Sequence, residues 1–332
     1  MRLTLLGTTN TFNVTGLTIH ERLGYGRFSA MGRATFDEQD AFIKCSYHLP
    51  SIKLEQEVYR YDRYFADVLH KFKVNLPYKM SRWLARYLPI SLPRFVTSAP
   101  LGQCLITKYI EGKPLDRFFE GREDKERDAF TLIYQLLRVL RFLNKYGIAY
   151  NDIKPADIIV TENKRGRPLQ LKLIDFDTVT LFNAKVDVAP VGRYTGSVLE
   201  YRPPETLWNR DYSLLRGQTW SVGTMFYHIL AKRLITGPSV GEDGRFDRGT
   251  FKKELGTVLL ADYFLPPVAM HANSDRRFSD DLTCLLNTLL TPYKVEEHKD
   301  DMYLGRYPVI RYTPREFLRH YPSVKALPPL EI

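Results

Sequence analysis

Asp152, Lys154 and Asp157 stand close together in the run Tyr150-Asn151-Asp152-Ile153-Lys154-Pro155-Ala156-Asp157. Twenty-three positions after Asp152 comes another acid, Asp175, in Ile174-Asp175-Phe176-Asp177. Carboxylates on a loop, near a second acid at a strand end, are hard oxygen ligands of the kind that hold divalent cations against phosphate. Such ligands select Mg or Mn over softer metals. The expected chemistry is therefore metal-assisted and directed at a phosphate.

The surrounding pattern must position these groups. Before the acidic loop, Ile133, Leu136, Leu137, Leu140 and Leu143 recur at three- and four-residue spacing, which predicts a helix with one buried face. After it, Ile158 to Thr161 and Leu169 to Ile174 read as short strands, joined by a turn-rich stretch from Asn163 to Pro168. The loop thus lies between a helix and a strand. The first hundred residues carry strand-like runs at Leu17 to Leu23, Ala41 to Tyr47 and Gln103 to Tyr109, and a second buried helix is expected from about Thr219 to Ala231. A β-rich front and a helical back, joined near Glu111-Gly112, predict an α+β protein of two lobes with a cleft between them.

Composition narrows the classes further. The chain has 332 residues, 44% of them hydrophobic and 26% charged, which is ordinary for a folded globular protein. No run approaches the ~18 apolar residues of a membrane span, and the N-terminus makes a poor signal peptide. The formal net charge is +10, but the basic residues are scattered and no nucleic-acid motif accompanies them, so no specific nucleic-acid partner is expected. Cys45, Cys104 and Cys284 are odd in number, widely spaced and without metal-ligand pattern. A reducing compartment, the cytoplasm, is the expected location, with a secreted effector acting in a host cytosol as the alternative. From Lys71 to Pro93 the chain has three prolines around a basic amphipathic stretch, with Met80, Trp83, Leu84, Tyr87 and Leu88 on one face. Residues 79–88 either pack on the small lobe or meet a partner or an anionic membrane surface.

In this order the motifs resemble the protein kinase superfamily, serine/threonine type. Asp152 to Asp157 resembles its catalytic loop, and Asp175-Phe176-Asp177 its D-F-G metal-binding motif. Leu23-Gly24-Tyr25-Gly26-Arg27-Phe28-Ser29 resembles the phosphate-covering loop, with Ser29 where a third glycine is common. Lys44, eighteen residues after Gly26, fits the strand lysine on the nucleotide phosphates. Glu57 is the expected helix carboxylate that pairs with it, Glu55 being the rival. Cys104 to Gly112 looks like the segment that binds adenine, with Thr107 guarding the inner pocket and Lys108 and Tyr109 following. Tyr201-Arg202-Pro203-Pro204-Glu205 resembles the A-P-E element, Gln218 to Gly223 the start of the buried helix, and Arg311 the buried partner of Glu205. Together the matches run from about Leu17 to Leu318.

The resemblance implies an N-lobe at 1–110 with an insertion near 71–93, a C-lobe at 111–320 and a tail at 321–332. It implies ATP and Mg, with Mn competing, and a protein hydroxyl as acceptor. Asp152 would orient that hydroxyl and take its proton, and Lys154 would balance charge on the transferred group. Asp175 and Asp157 would hold metal. The pattern also breaks. Asn151 replaces an arginine that clamps an activation-segment phosphate, which implies activity without phosphorylation of Thr178, Thr195 or Ser197. Asp157 replaces asparagine, Asp177 glycine and Gln218 an aspartate, while Phe42 stands where a small residue usually lies above adenine, to stack on the base or block it. Val198 falls on a threonine position, unless an inserted residue passes that part to Ser197. An active kinase is the expected function. The alternative is a pseudokinase, a scaffold or nucleotide-binding allosteric module.

Overall fold

Asp37 and Glu38 both take positive φ, 47° and 65°, and so close a tight turn between the strands Ser29–Phe36 and Gln39–Ser46. Two successive left-handed residues match the twist of an antiparallel pair. The register runs from Phe36 opposite Gln39 to Ser29 opposite Ser46. The structure is a computed structural model that describes residues 2–5, 8–11, 14–20, 24–25, 29–46, 55–56, 58–59, 68–75, 101–162, 169–176, 178–182, 188–190, 198–207, 211–232, 234–235, 249–250, 278–291, 303–304, 307–308 and 311–323. The chain divides into two units, one of residues 1–111 with 172–177, the other of residues 112–171 with 178–332.

The first unit is built on a sheet in which Leu17–Ile19, Ser29–Phe36, Gln39–Ser46, Leu101–Lys108 and Val68–Asn75 lie side by side, with Gly24–Tyr25 also pairing to Ser29–Phe36. Period-two alternation sorts its faces. Ala41, Ile43 and Cys45 turn one way and join Leu17, Ala30, Ala34, Cys104 and Ile106 in a core. Phe42 and Lys44 therefore turn the other way. Residues 71–75, taken from the sequence as the start of an insertion, are part of this sheet. Residues 76–100, with the expected helix at 79–88, lie outside the described residues.

Cys45 and Cys104 face each other in register and form a disulfide within the core, while Cys284 is buried and outside any disulfide. Fifty-nine residues separate them in sequence, so only the strand pairing reveals them as neighbours.

Among its described residues the second unit is mostly helical. The helix Lys125–Lys145 buries the predicted stripe of Ile133, Leu136, Leu137, Leu140 and Leu143. Its Gln135 donates to the carbonyl of Leu169 (2.7 Å) and accepts from the amide of Leu171 (2.8 Å), acting as a strand partner for that backbone. Ile158–Thr161 pairs with Lys113–Pro114, and a Cβ on Gly112 would meet Ile159 Cγ2 at 2.6 Å and the Val160 carbonyl at 2.7 Å, so a side chain there is excluded. The second buried helix begins earlier than its apolar pattern suggests, spanning Leu214–Ala231, because Ser213 caps it by accepting from the Arg216 amide. Among the described residues, no helix is long and apolar enough to cross a membrane.

The short helix Pro314–His320 opens on a capping box: the Glu316 amide donates to Thr313 Oγ1 (3.2 Å) and the Thr313 amide to Glu316 Oε2 (2.9 Å). Arg216 adds an ion pair to Glu316 at 2.8 Å. Burial pushes the Glu316 carboxyl upward, but the bonds from Thr313 and the Arg216 guanidinium outweigh it and hold the group below its ordinary value. A lowered folded value means stability that is present above the unfolded carboxyl range and lost as pH falls through the folded one. Thr313→Ala should cost about 1 kcal/mol, a melting shift of roughly 2–4 °C. Glu316→Gln should destabilise the protein at pH 7 and matter less in thermal melts near pH 3.

Candidate functional site

Lys44 is buried on the face of the sheet away from the apolar core, with Met31 and Leu105 beside it in register. Its ammonium lies 2.8 Å from Glu55 Oε2 and 2.8 Å from Asp175 Oδ1. A buried charge needs partners of this kind, since desolvation otherwise neutralises it. Glu55, not Glu57, is thus the partner of Lys44, and Glu57 lies outside the described residues. Helix phase explains the correction. The Tyr59 amide donates to the Glu55 carbonyl at 3.0 Å, so residues 55 and 59 share a face, and Val58 and Tyr59 are buried. The apolar Val58-Tyr59 pair, three and four residues after Glu55, is the sequence signal that would have chosen it.

Tyr59 was not anticipated. Its phenol donates to Glu55, and its ring meets Phe176 edge-on at 5.7 Å between centroids. Burial first, and then the Glu55 carboxylate, push the phenol far above its ordinary range, so it remains a donor. Burial likewise raises Glu55, with the Lys44 ammonium pulling in the opposite direction. Phe176 is fully buried, and its neighbour Asp175 takes φ 63°, a left-handed geometry that aspartate tolerates better than most residues. Lys44, Glu55, Tyr59, Phe176 and Asp175 therefore close a ring of contacts inside the first unit. Asp177 lies outside the described residues.

Of the expected nucleotide-covering residues, Gly24 lies in the short strand opposite Met31, Ser29 is buried, and Gly26 is outside the described residues. Thr107 is buried and faces Phe42 across the pair of strands, so Phe42 does share the Lys44 face. Lys108 is exposed. The Tyr109 amide donates to the Asp40 carbonyl at 3.0 Å and so serves the sheet, while the Tyr109 ring lies under the Arg33 guanidinium at 4.7 Å.

In the second unit the acidic loop takes its shape from Pro155, which opens a single 3-10 turn, Pro155–Asp157. In such a turn residues three apart eclipse each other. Lys154 consequently reaches both acids, at 2.9 Å to Asp152 Oδ2 and 3.2 Å to Asp157 Oδ2. The Val198 amide donates to Asp152 Oδ1 at 2.9 Å. The backbone thus makes the contact expected of a threonine hydroxyl at that position, and Ser197 lies outside the described residues. Asp157 also accepts from the phenol of Tyr150, a second group that sequence reasoning passed over.

The substituted positions have found other partners. Gln218 accepts from Asn144 at 3.0 Å and donates to the Tyr150 carbonyl at 3.4 Å, so it braces the loop partly by donating, which an aspartate could not do. Asn151 donates to the Thr180 hydroxyl at 2.7 Å. Arg311 is fully buried, donating to the Thr291 carbonyl at 2.7 Å and lying 4.8 Å from the Trp220 ring, whereas the Glu205 side chain is outside the described set.

The donor set is one of hard carboxylate oxygens, and Asp175 keeps 28% of its side chain exposed, which suits an ion that arrives with a ligand. Among the described residues no three His, Cys, Asp or Glu side chains gather into a metal group.

A family profile described as "Protein kinase domain" matches residues 18–295. Ribosomal protein S6 kinase alpha-2 of Mus musculus is 28% identical over 120 residues, 36% of this chain and 16% of its own length. Serine/threonine-protein kinase tousled-like 1 of Caenorhabditis elegans is 22% identical over 217 residues, 63% of this chain and 21% of its own. Mitogen-activated protein kinase HOG1 of Wallemia sebi is 29% identical over 126 residues, 37% of this chain and 41% of its own. The chain thus spans less than half the length of each of these relatives.

Glu55→Ala should lower the unfolding free energy by about 2 kcal/mol, less than the ~3–5 of a fully orphaned buried charge because Asp175 remains beside Lys44. Tyr59→Phe should cost about 1 kcal/mol. Chemical denaturation checks both.

Proposed function

This chain belongs to the protein kinase family, with an α+β kinase fold, and we propose that it is an active serine/threonine protein kinase that uses ATP and Mg. The observation that carries the reading is the placement of Lys44, an ammonium bonded at once to Glu55 and Asp175. Loss of function in such a fold removes members of this set, and here all three are present.

Lys44, kept in place by Glu55, neutralises phosphate oxygens of the nucleotide. Asp175 would hold one Mg ion and Asp157 a second. When bound, the cation offsets charge that develops on the transferred phosphoryl group. Asp152 orients the acceptor hydroxyl of a protein substrate and takes its proton. Its Oδ1 accepts from the Val198 amide while its Oδ2 accepts from the Lys154 ammonium, so both ends of the carboxylate are held in place. Lys154 balances charge beside it, and its place in the loop supports serine/threonine over tyrosine acceptors. Positioning and charge supply the acceleration, with little covalent work asked of the chain.

A second reading, the pseudokinase, draws support from Phe42, half-buried on the Lys44 face where the family favours a small side chain. Labelled ATP with Mg or Mn decides between them. Label should reach protein serine or threonine, and Asp152→Ala and Asp175→Ala should each lower the rate by about 100-fold or more. Incorporation no greater than that of both variants would establish the scaffold reading instead.

The Asn151–Thr180 bond is neutral and needs no phosphate. Protein treated with phosphatase should keep its activity within about twofold, whereas a tenfold loss would mean that an activation-segment phosphate is required after all.

A further inference from the structure

Tyr150 is buried to 1% exposure, and its two ends are engaged differently. Its carbonyl accepts from Gln218, which in turn accepts from Asn144. Its phenol donates to Asp157 Oδ2 at 3.1 Å. A buried phenol ordinarily finds some acceptor. Here the acceptor is a carboxylate that is itself 5% exposed, and that already faces Lys154 through the same oxygen at 3.2 Å.

The convergence of two donors on one oxygen has a chemical consequence. A carboxylate has two equivalent oxygens and rotates about its last bond, unlike an amide, whose ends differ. Donors on Oδ2 break that equivalence and fix the plane of the group, so that Oδ1 faces one direction. The Lys154 ammonium is shared with Asp152, at 2.9 Å. The phenol adds a second, neutral donor to that oxygen from the buried side.

We propose that Tyr150 is a positioning residue that orients the Asp157 carboxylate toward a divalent cation. This rests on the kinase reading, in which Asp157 is a metal ligand. Groups that hydrogen-bond a ligating side chain typically govern metal affinity by ~10–100-fold, although they never touch the ion.

The test titrates full-length protein, with a nonhydrolysable ATP analogue, with Mn²⁺, and follows the free ion by electron paramagnetic resonance. Asp157→Asn and Asp175→Asn first define which binding event belongs to each acid. Tyr150→Phe, which keeps the ring and its packing, should weaken the Asp157-dependent event by about tenfold and leave the Asp175-dependent event unmoved. In an Asp157→Asn background, Tyr150→Phe should change nothing further, which a merely structural role would not reproduce. Should the phenylalanine variant match the unaltered protein, or lose affinity equally in both backgrounds, the inference is overturned. A normal Asp175-dependent event with no Asp157-dependent one overturns it as well and leaves the kinase reading standing. No nucleotide-dependent Mn²⁺ uptake at all would sink both.

Discussion

Two ionised carboxylates buried near each other repel unless a cation stands between them, and this chain meets that constraint twice with one lysine each time. In the first unit Lys44 joins Glu55 to Asp175, and in the second Lys154 joins Asp152 to Asp157. Four acids, three of them almost wholly out of water, depend on two ammonium groups. The rest of the local structure serves to deliver those lysines. Strand alternation turns Lys44 away from the core that holds Ile43 and Cys45, and Pro155 sets the turn that lets Lys154 reach both of its acids. Replacing either lysine would leave like charges facing each other in a poorly solvated place, so the pairs are structural before they are chemical.

How much of this was legible beforehand depends on the range over which each contact is encoded. The Lys154 cluster is local, within one loop, and its residues are all visible as a motif. The helix stripe at Ile133 to Leu143 is likewise written in one segment. Lys44 stood out only through the family resemblance, as the strand lysine that follows the glycine loop at the family's spacing. Glu55 was misjudged because two acids two residues apart point to different sides of a helix, and a short segment states its phase only through its neighbours. Val58 and Tyr59 are those neighbours, and they were not weighed. Cys45 and Cys104 lay further out of reach, since strand register brings them together across an interval that composition treats as empty. The Val198 contact was not readable from side chains at all. A main-chain amide does its work there, and every residue except proline has one.

The departures from the family pattern form a set. Gln218 for aspartate, Asn151 for arginine and Asp157 for asparagine each exchange a charged group for a neutral one or the reverse. Each has a partner suited to the new chemistry: a carbonyl for the amide of Gln218, a hydroxyl for Asn151, a phenol and an ammonium for Asp157. A site decaying at random would leave such groups unmatched, because an unsatisfied buried polar group costs about 1–3 kcal/mol and nothing selects its replacement partner. The replaced residues are thus accommodated in a loop with a different charge distribution.

That distribution has a direction. With arginine at 151, aspartate at 152, lysine at 154 and asparagine at 157, the loop would carry one net positive charge. With Asn151, Asp152, Lys154 and Asp157 it carries one net negative charge, a change of two units on a protein whose whole sequence is +10. The reversal matters because Asp152 and Asp157 are largely withdrawn from water, where Coulomb interactions are screened least. An incoming nucleotide is itself polyanionic and would be repelled by such a loop, so its approach there depends on a cation that accompanies it. Lys154 supplies one positive charge and is already shared. In the proposed kinase reading, the loop would tie anionic-ligand binding to divalent-ion binding more strictly than an asparagine loop would.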